Sequence, residues 1–295
     1  MRICVILNPA ARGARRLGSS LPWEDLAPRP VVWRTSEPGD GRRLAAEAVR
    51  KGFELLVAAG GDGTVNEVLN GMGDVPGAWE QVRLAVLPLG TANVWARELS
   101  MLEPVRKIWQ RITSGAERIL DVPWAEWEGA STACRRYFVQ LAGVGWDAQA
   151  IERVRPGLKR WLGPWAYVWA GWLALQHRGP AVRWQSGMET ARADWVLVGN
   201  GRLYGGPFAF FPDAVPDDGE LDICFVPYLT VTRAVVGGLY VLWTRRLPEH
   251  WVTRRRSRSF RLTADEHVPF EVDGEWVGRT PVVFGLLRRA LRVAA

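Results

Sequence analysis

Arg2-Ile3-Cys4-Val5-Ile6-Leu7 is a short apolar, β-branched run that stops on Asn8-Pro9, the pattern of a buried strand running into a turn. A second strand is expected over 30–34. Residues 41–50 are rich in helix formers, and Glu54-Leu55-Leu56-Val57-Ala58-Ala59 then returns to the buried-strand pattern. Another round follows, with a helix expected over 65–72, a strand over 83–87 and a helix over 92–99. Strands alternating with helices in this way imply a parallel sheet covered by helices.

From about Asp121 the pattern changes. Helical periodicity becomes rare, and β-rich segments recur at 137–141, 195–199, 221–226, 258–262 and 270–272, separated by turn clusters such as Pro212-Asp213-Ala214-Val215-Pro216-Asp217-Asp218-Gly219. The expected architecture is an α/β domain over 1–120 followed by an antiparallel β domain over 121–276. With neither a fixed repeat nor a long linker, the two are expected to form one rigid unit with a cleft. Trp161, Trp165, Trp169 and Trp172 recur at helical spacing, so a helix over 161–176 is expected as an insertion on the β domain or packed against it. It is too short to cross a bilayer, which takes about 20 apolar residues.

Composition narrows the class. The 295 residues are 48% hydrophobic and 23% charged, which excludes collagen-like, fibrous and disordered chains. Three scattered cysteines without C-x-x-C spacing argue against a disulfide framework or structural zinc, and the first apolar run is too short for a signal peptide. A cytoplasmic setting is expected. The net charge of +7 is carried almost wholly by arginine, gathered at Arg12, Arg15 and Arg16, at Arg42 and Arg43, and from Arg245 to Arg258. Such clusters suit a solvated basic face, an anionic membrane surface or nucleic acid.

The strongest chemical signal is Gly60-Gly61-Asp62-Gly63-Thr64-Val65-Asn66-Glu67, placed between a buried strand and a helix. Glycines there allow positive φ and bring backbone N–H groups close to an anion, and the helix adds its positive N-terminal end. The acid inside the loop is informative, because a carboxylate repels a phosphate unless a divalent cation bridges them or the carboxylate works on a proton. A magnesium nucleotide satisfies both. Neither a G-x-x-x-x-G-K-[ST] run nor a G-x-G-x-x-G at a strand end is present. Pro88-Leu89-Gly90-Thr91-Ala92-Asn93 repeats the strand-to-helix logic, as does Asn8-Pro9-Ala10-Ala11-Arg12-Gly13. Ligands of open α/β sheets bind at the carboxyl edge, where such turns converge.

These motifs, in this order and followed by Asp273-Gly274-Glu275, resemble the diacylglycerol kinase catalytic family of lipid kinases over essentially the whole chain. The resemblance implies an N-terminal three-layer α/β nucleotide-binding domain, like those of NAD kinase and phosphofructokinase, and a C-terminal antiparallel β-sandwich. It also implies a tail, about 277–295, packing back on the first domain. Its nucleotide contacts fall on Asn8, Pro9, Ala10, Ala11, Arg12, Thr35, Gly60, Gly61, Asp62, Gly63, Thr64, Val65, Asn66, Thr91 and Asn93. Asp62 and Asp121 would join the magnesium and nucleotide network, with Glu275 or Asp62 as the base. A structural metal site would use Asp218 with backbone carbonyls near Val215 and Glu220. Two departures stand out: Arg12 precedes Gly13 in the first loop, and Val94 replaces the acid many members carry after the second loop.

The expected activity is transfer of the γ-phosphate of ATP, with Mg2+, to a hydroxyl of diacylglycerol or a related lipid, at the inner face of the membrane. The arginines would dock on anionic lipid, nucleic acid is not an expected partner, and a homodimer stays open. The alternatives are a kinase of a soluble acceptor, such as NAD or a sugar phosphate, and a nonenzymatic basic binder of membranes or nucleic acid.

Overall fold

A computed structural model describes residues 1–17, 23–129, 132–153 and 181–295. The tryptophan-rich helix expected over 161–176 lies outside them. The chain divides into two compact units, one of Met1–Val122, Pro216–Asp218 and Leu287–Ala295, the other of Pro123–Val215 and Gly219–Leu286.

The first unit is built on parallel strands β1 (Ile3–Leu7), β2 (Val31–Arg34), β3 (Leu55–Gly60) and β4 (Arg83–Pro88), in the order β2-β1-β3-β4. Every residue of β1 and β3 is buried, as expected of strands covered on both faces. The helices are α1 (Arg12–Leu17), α2 (Asp40–Arg50), α3 (Asp62–Gly73), α4 (Ala78–Gln81), α5 (Val94–Glu98) and α6 (Val105–Thr113). α2 turns Leu44, Ala45, Ala48 and Val49 inward. At Gly71 on α3 an added Cβ would stand 2.2 Å from the Arg42 carbonyl oxygen, so glycine is what lets α2 and α3 close on each other. Of the C-terminal stretch, Leu287–Ala295 belongs to this unit and residues 277–286 to the other. Val293 pairs in parallel with Leu84, and the Arg292 guanidinium grips the Glu117 carboxylate through two 3.0 Å bonds.

The second unit begins along β5 (Arg118–Glu128), which pairs with β6 (Ala133–Tyr137). Then come β7 (Leu141–Gly145), α7 (Trp146–Arg153), β8 (Val182–Ser186), β9 (Glu189–Ala193), β10 (Trp195–Gly199), β11 (Leu203–Tyr204), β12 (Phe208–Ala209) and β13 (Leu221–Val226). A helix spans Val231–Thr244, and β14 (Thr253–Ser257), β15 (Ser259–Thr263), β16 (Pro269–Val272), β17 (Glu275–Arg279) and β18 (Val282–Val293) follow. One antiparallel sheet runs β14-β13-β10-β7-β16-β17. Facing it, β15 lies between β8 and the first part of β18. Trp184, Phe225, Phe260, Phe270 and Phe284 fill the space between, which makes this unit a β-sandwich.

Three readings of the sequence need correction. The strand expected over 137–141 is broken, with Tyr137 ending β6, Leu141 opening β7 and a bend between them, because the Asp273 carboxylate collects the N–H groups of Val139, Gln140 and Leu141 at 3.0, 3.0 and 3.2 Å. α3 starts at Asp62 rather than Val65, with Gly61 at its N-cap. The β-rich half also carries two described helices that the pattern concealed, α7 and Val231–Thr244. The second is rich in β-branched valine and holds Gly237 and Gly238, which masks it as a strand or loop.

Candidate active site

The turns after β1, β3 and β4 meet in the first unit through close approaches at their glycines. An added Cβ at Gly90 would lie 2.4 Å from the Gly61 Cα, one at Gly13 3.0 Å from the Leu89 Cα, and one at Gly60 2.2 Å from Thr64 Oγ1. None of Gly13, Gly60, Gly61, Gly63 or Gly90 has positive φ, so the expected left-handed turn is corrected. These glycines are there for proximity. Hydrogen bonds tie the same turns together: Gly13 N–H donates to the Leu89 carbonyl at 2.7 Å, Leu89 N–H to the Gly60 carbonyl at 2.8 Å, and Asn8 N–H to the Ala59 carbonyl at 2.9 Å. Asn8 Oδ1 accepts from Ala10 N–H at 2.9 Å, and its Nδ2 donates to Thr64 Oγ1 at 3.3 Å. Thr35 N–H donates to the Leu7 carbonyl at 2.9 Å, which brings the end of β2 beside Asn8.

Asp62 occupies the middle of this arrangement, half-buried in the first turn of α3. Its Oδ1 accepts from Trp95 N–H at 3.3 Å, so the carboxylate caps α5 across the two loops. Burial raises its pKa, opposed by the backbone N–H groups of Trp95, Val94 and Asn93. Gly61 supplies no side-chain cap, so the α3 N-terminus presents backbone donors and its positive end to the junction. Pro9, Ala10, Arg12 and Thr91 are exposed around it, and Gly63 is half-buried.

Other residues of the motifs turn out to shape the site. Asn93 has φ 49° and closes its loop on Gly90, accepting from Gly90 N–H at 2.9 Å and donating to the Gly90 carbonyl at 3.1 Å, which delays α5 to Val94. Asn66 is fully buried and accepts from Asn70 Nδ2 at 3.1 Å, and Val65 is buried. Glu67, which the sequence analysis assigned no role, accepts from Gly39 N–H and Gly41 N–H at 2.8 Å each and so caps α2. Asp121 is 2% exposed and accepts from Arg289 N–H at 2.6 Å, while its own N–H donates to the Pro216 carbonyl at 2.8 Å. It thereby ties residues 216–218 and the C-terminal stretch into the first unit. Asp218 lies on that short segment, Val215 is exposed, and Glu220 is half-buried.

In the second unit Asp273 (φ 48°) and Gly274 (φ 83°) make the two-residue turn joining β16 to β17, the geometry of a type I′ hairpin. Glu275 follows, half-exposed, and pairs with Arg136 Nη2 at 3.0 Å. Beneath the turn lie two carboxyl groups that the sequence analysis missed. Glu271 is fully buried; its Oε2 accepts from Gly274 N–H at 2.7 Å, while its Oε1 has no partner among the described residues. Asp147 accepts from Ala148 N–H at 2.7 Å and from the Tyr204 hydroxyl at 3.3 Å. Burial pushes Asp147 up to about 6, and burial with the negative charges of Asp147, Asp273 and Glu275 pushes Glu271 well above the carboxylate range. Glu271 lies inside the strand expected over 270–272 and Asp147 on the concealed helix α7, so neither carried a signal of its own.

The donor set suits a nucleotide with a hard cation. Among the described residues no group of three or more His, Cys, Asp or Glu side chains could cage a metal. An oxygen-seeking cation at Asp62 would be held by that carboxylate with ligand phosphates. Gly60 and Gly90 are packed against the Thr64 and Asn93 side chains, so these glycines let the turns close on one another.

Comparison with known proteins places the chain in a family. Residues 2–124 match the family model of the diacylglycerol kinase catalytic domain, and residues 141–295 match that of the YegS C-terminal NAD kinase beta sandwich-like domain. A "Probable lipid kinase YegS-like" protein of Pseudomonas aeruginosa is 30% identical over 99% of this chain and 93% of its own length. A "Diacylglycerol kinase" of Staphylococcus carnosus is 28% identical over 89% of this chain and 83% of its own. The crystal structure of a diacylglycerol kinase from Bacillus anthracis shares the fold, with a TM-score of 0.72 at 23% identity over 99% of this chain and 96% of that one.

Proposed function

We propose, since this chain belongs to the diacylglycerol kinase catalytic-domain family of lipid kinases, that it transfers the γ-phosphate of ATP, with Mg2+, to the hydroxyl of diacylglycerol or a closely related membrane lipid. The observation that carries this reading is the mutual approach of the Gly13, Gly61 and Gly90 turns around Asp62. Backbone N–H groups at the α3 N-terminus would hold the phosphates, and Asn8 and Thr64 would fix the rim. Magnesium, when bound, neutralises charge on the transferring phosphoryl group.

Phosphoryl transfer needs a group to take the acceptor's proton, and two carboxylates are available. Asp62 faces the glycine turns and caps α5, and Glu275 is held by the Arg136 guanidinium, so either carboxylate is a candidate for the base. Positioning and electrostatic stabilisation contribute the rest. The test is incubation with labelled ATP, Mg2+ and vesicles containing diacylglycerol, with Asp62→Asn as control. Label in the lipid fraction, lost in the variant, is the expected result. Label in a water-soluble acceptor instead would overturn the lipid assignment.

A further inference from the structure

Helix Val231–Thr244 is unlike every other long helix described, because none of its residues is buried. Val231, Val235, Val236, Leu239, Tyr240, Leu242 and Trp243 are all exposed, Leu242 by 70% and Trp243 by 90%. Its inner edge is thin. Gly237 lies against Trp251, where a Cβ would come within 2.9 Å of the ring, and Val241 packs beside the small cluster of Trp195, Leu197, Phe210 and Phe211. The helix is nonetheless well formed, since Thr230 Oγ1 caps its N-terminus by accepting from Arg233 N–H at 3.2 Å. A surface helix in water shows a polar outer face, so an apolar outer face of this extent marks an interaction surface.

Charge selects the occupant. The helix has no acidic residue, Arg245 and Arg246 follow it at the surface, and the nearby Glu249 is held by Arg254 at 2.9 Å. Anionic lipid complements these arginines. Length selects the mode. Fourteen residues make a helix about 21 Å long, short of the ~30 Å hydrocarbon core, and no described helix is long and apolar enough to cross a membrane. Tryptophan and tyrosine on the outer face suit the headgroup level.

We propose that the Val231–Thr244 helix is an interfacial anchor that lays Leu239, Leu242 and Trp243 into the headgroup region of an anionic bilayer, with Arg245 and Arg246 on lipid phosphates. The anchor deepens the lipid-kinase reading and rests on it for its purpose, since it would bring the site to a membrane-resident acceptor. It also revises which arginines face lipid, because Arg254 pairs with Glu249 and Arg256 with Asp222 at 3.0 Å.

The test is co-sedimentation of the full chain with vesicles of phosphatidylcholine alone and of phosphatidylcholine mixed with phosphatidylglycerol. Binding to the anionic vesicles is expected, weakened about tenfold or more by Leu239→Ser with Trp243→Ser, because their buried apolar area drives the partitioning. Arg245→Gln with Arg246→Gln should remove much of the salt-sensitive part. All variants should keep the wild-type melting temperature and should phosphorylate detergent-dispersed diacylglycerol normally, while losing activity on vesicle-embedded lipid. Vesicle binding unchanged in the apolar variant would overturn the proposal. So would a dimer that dissociates on the same substitutions, which would make a second copy the occupant, or a fall in melting temperature without vesicle binding, which would mean the chain covers the face itself. Vesicle binding lost on substitution, in a protein that phosphorylates no lipid in either form, would retain the anchor and remove the kinase reading.

Discussion

Asp62 combines two tasks, since its carboxylate both caps α5 through Trp95 N–H and faces the junction of the glycine turns. Asp62→Asn keeps an oxygen for the cap and removes the charge, so the fold should persist while turnover falls by about 100-fold or more. Steady-state rates beside a melting curve check this. Glu275→Gln separates the two candidate bases. If Glu275 takes the proton, turnover falls comparably; if it only balances Arg136, turnover changes little and thermal stability shifts slightly, as for an exposed ion pair. Glu67, by contrast, is a cap. Glu67→Ala should cost about 0.5–2 kcal/mol of stability by freeing the Gly39 and Gly41 N–H groups, measurable by chemical denaturation.

At the scale of elements, the site depends on loops pressed together rather than on loops of unusual conformation. A methyl group at Gly90 would strike the Gly61 backbone at 2.4 Å, and neither turn can retreat, because Gly90 N–H bonds to both the Gly60 carbonyl and Asn93 Oδ1. Gly90→Ala should therefore destabilise the protein by about 1–3 kcal/mol, the usual cost of overpacking, and weaken nucleotide binding. Calorimetric titration with ATP and Mg2+ reads the second effect. Gly274→Ala acts through a different cause, left-handed backbone at φ 83°, and should loosen the hairpin that presents Glu275.

Across the whole molecule the buried carboxyl pair of Asp147 and Glu271 sets a pH dependence of unusual sign. Both bind their protons more tightly folded than unfolded, so stability should fall as pH rises from about 4 through 6 and into the range of Glu271, opposite to an ion-paired acid. Glu271→Gln keeps an oxygen for Gly274 N–H and removes the charge, and should raise the melting temperature at pH 8 relative to the unsubstituted protein. Melting curves between pH 5 and 8 that fall in parallel for both proteins would count against this account.

The sequence by itself determined the alternation of strand and helix in the first unit, the β character of the second, and the place of the glycine loops between strand and helix. Each is a local matter of periodicity, turn residues and backbone freedom. What tertiary structure decided is what those residues do to one another. Glycines that read as sources of positive φ are points of backbone contact between turns far apart in the chain. Asp273 bends the segment after β6 from more than a hundred residues away, and Asp147 and Glu271 become a buried pair only when α7 packs near β16. The exposed apolar helix was hidden for the same reason, because an apolar run announces burial, and only the folded chain shows a face left uncovered.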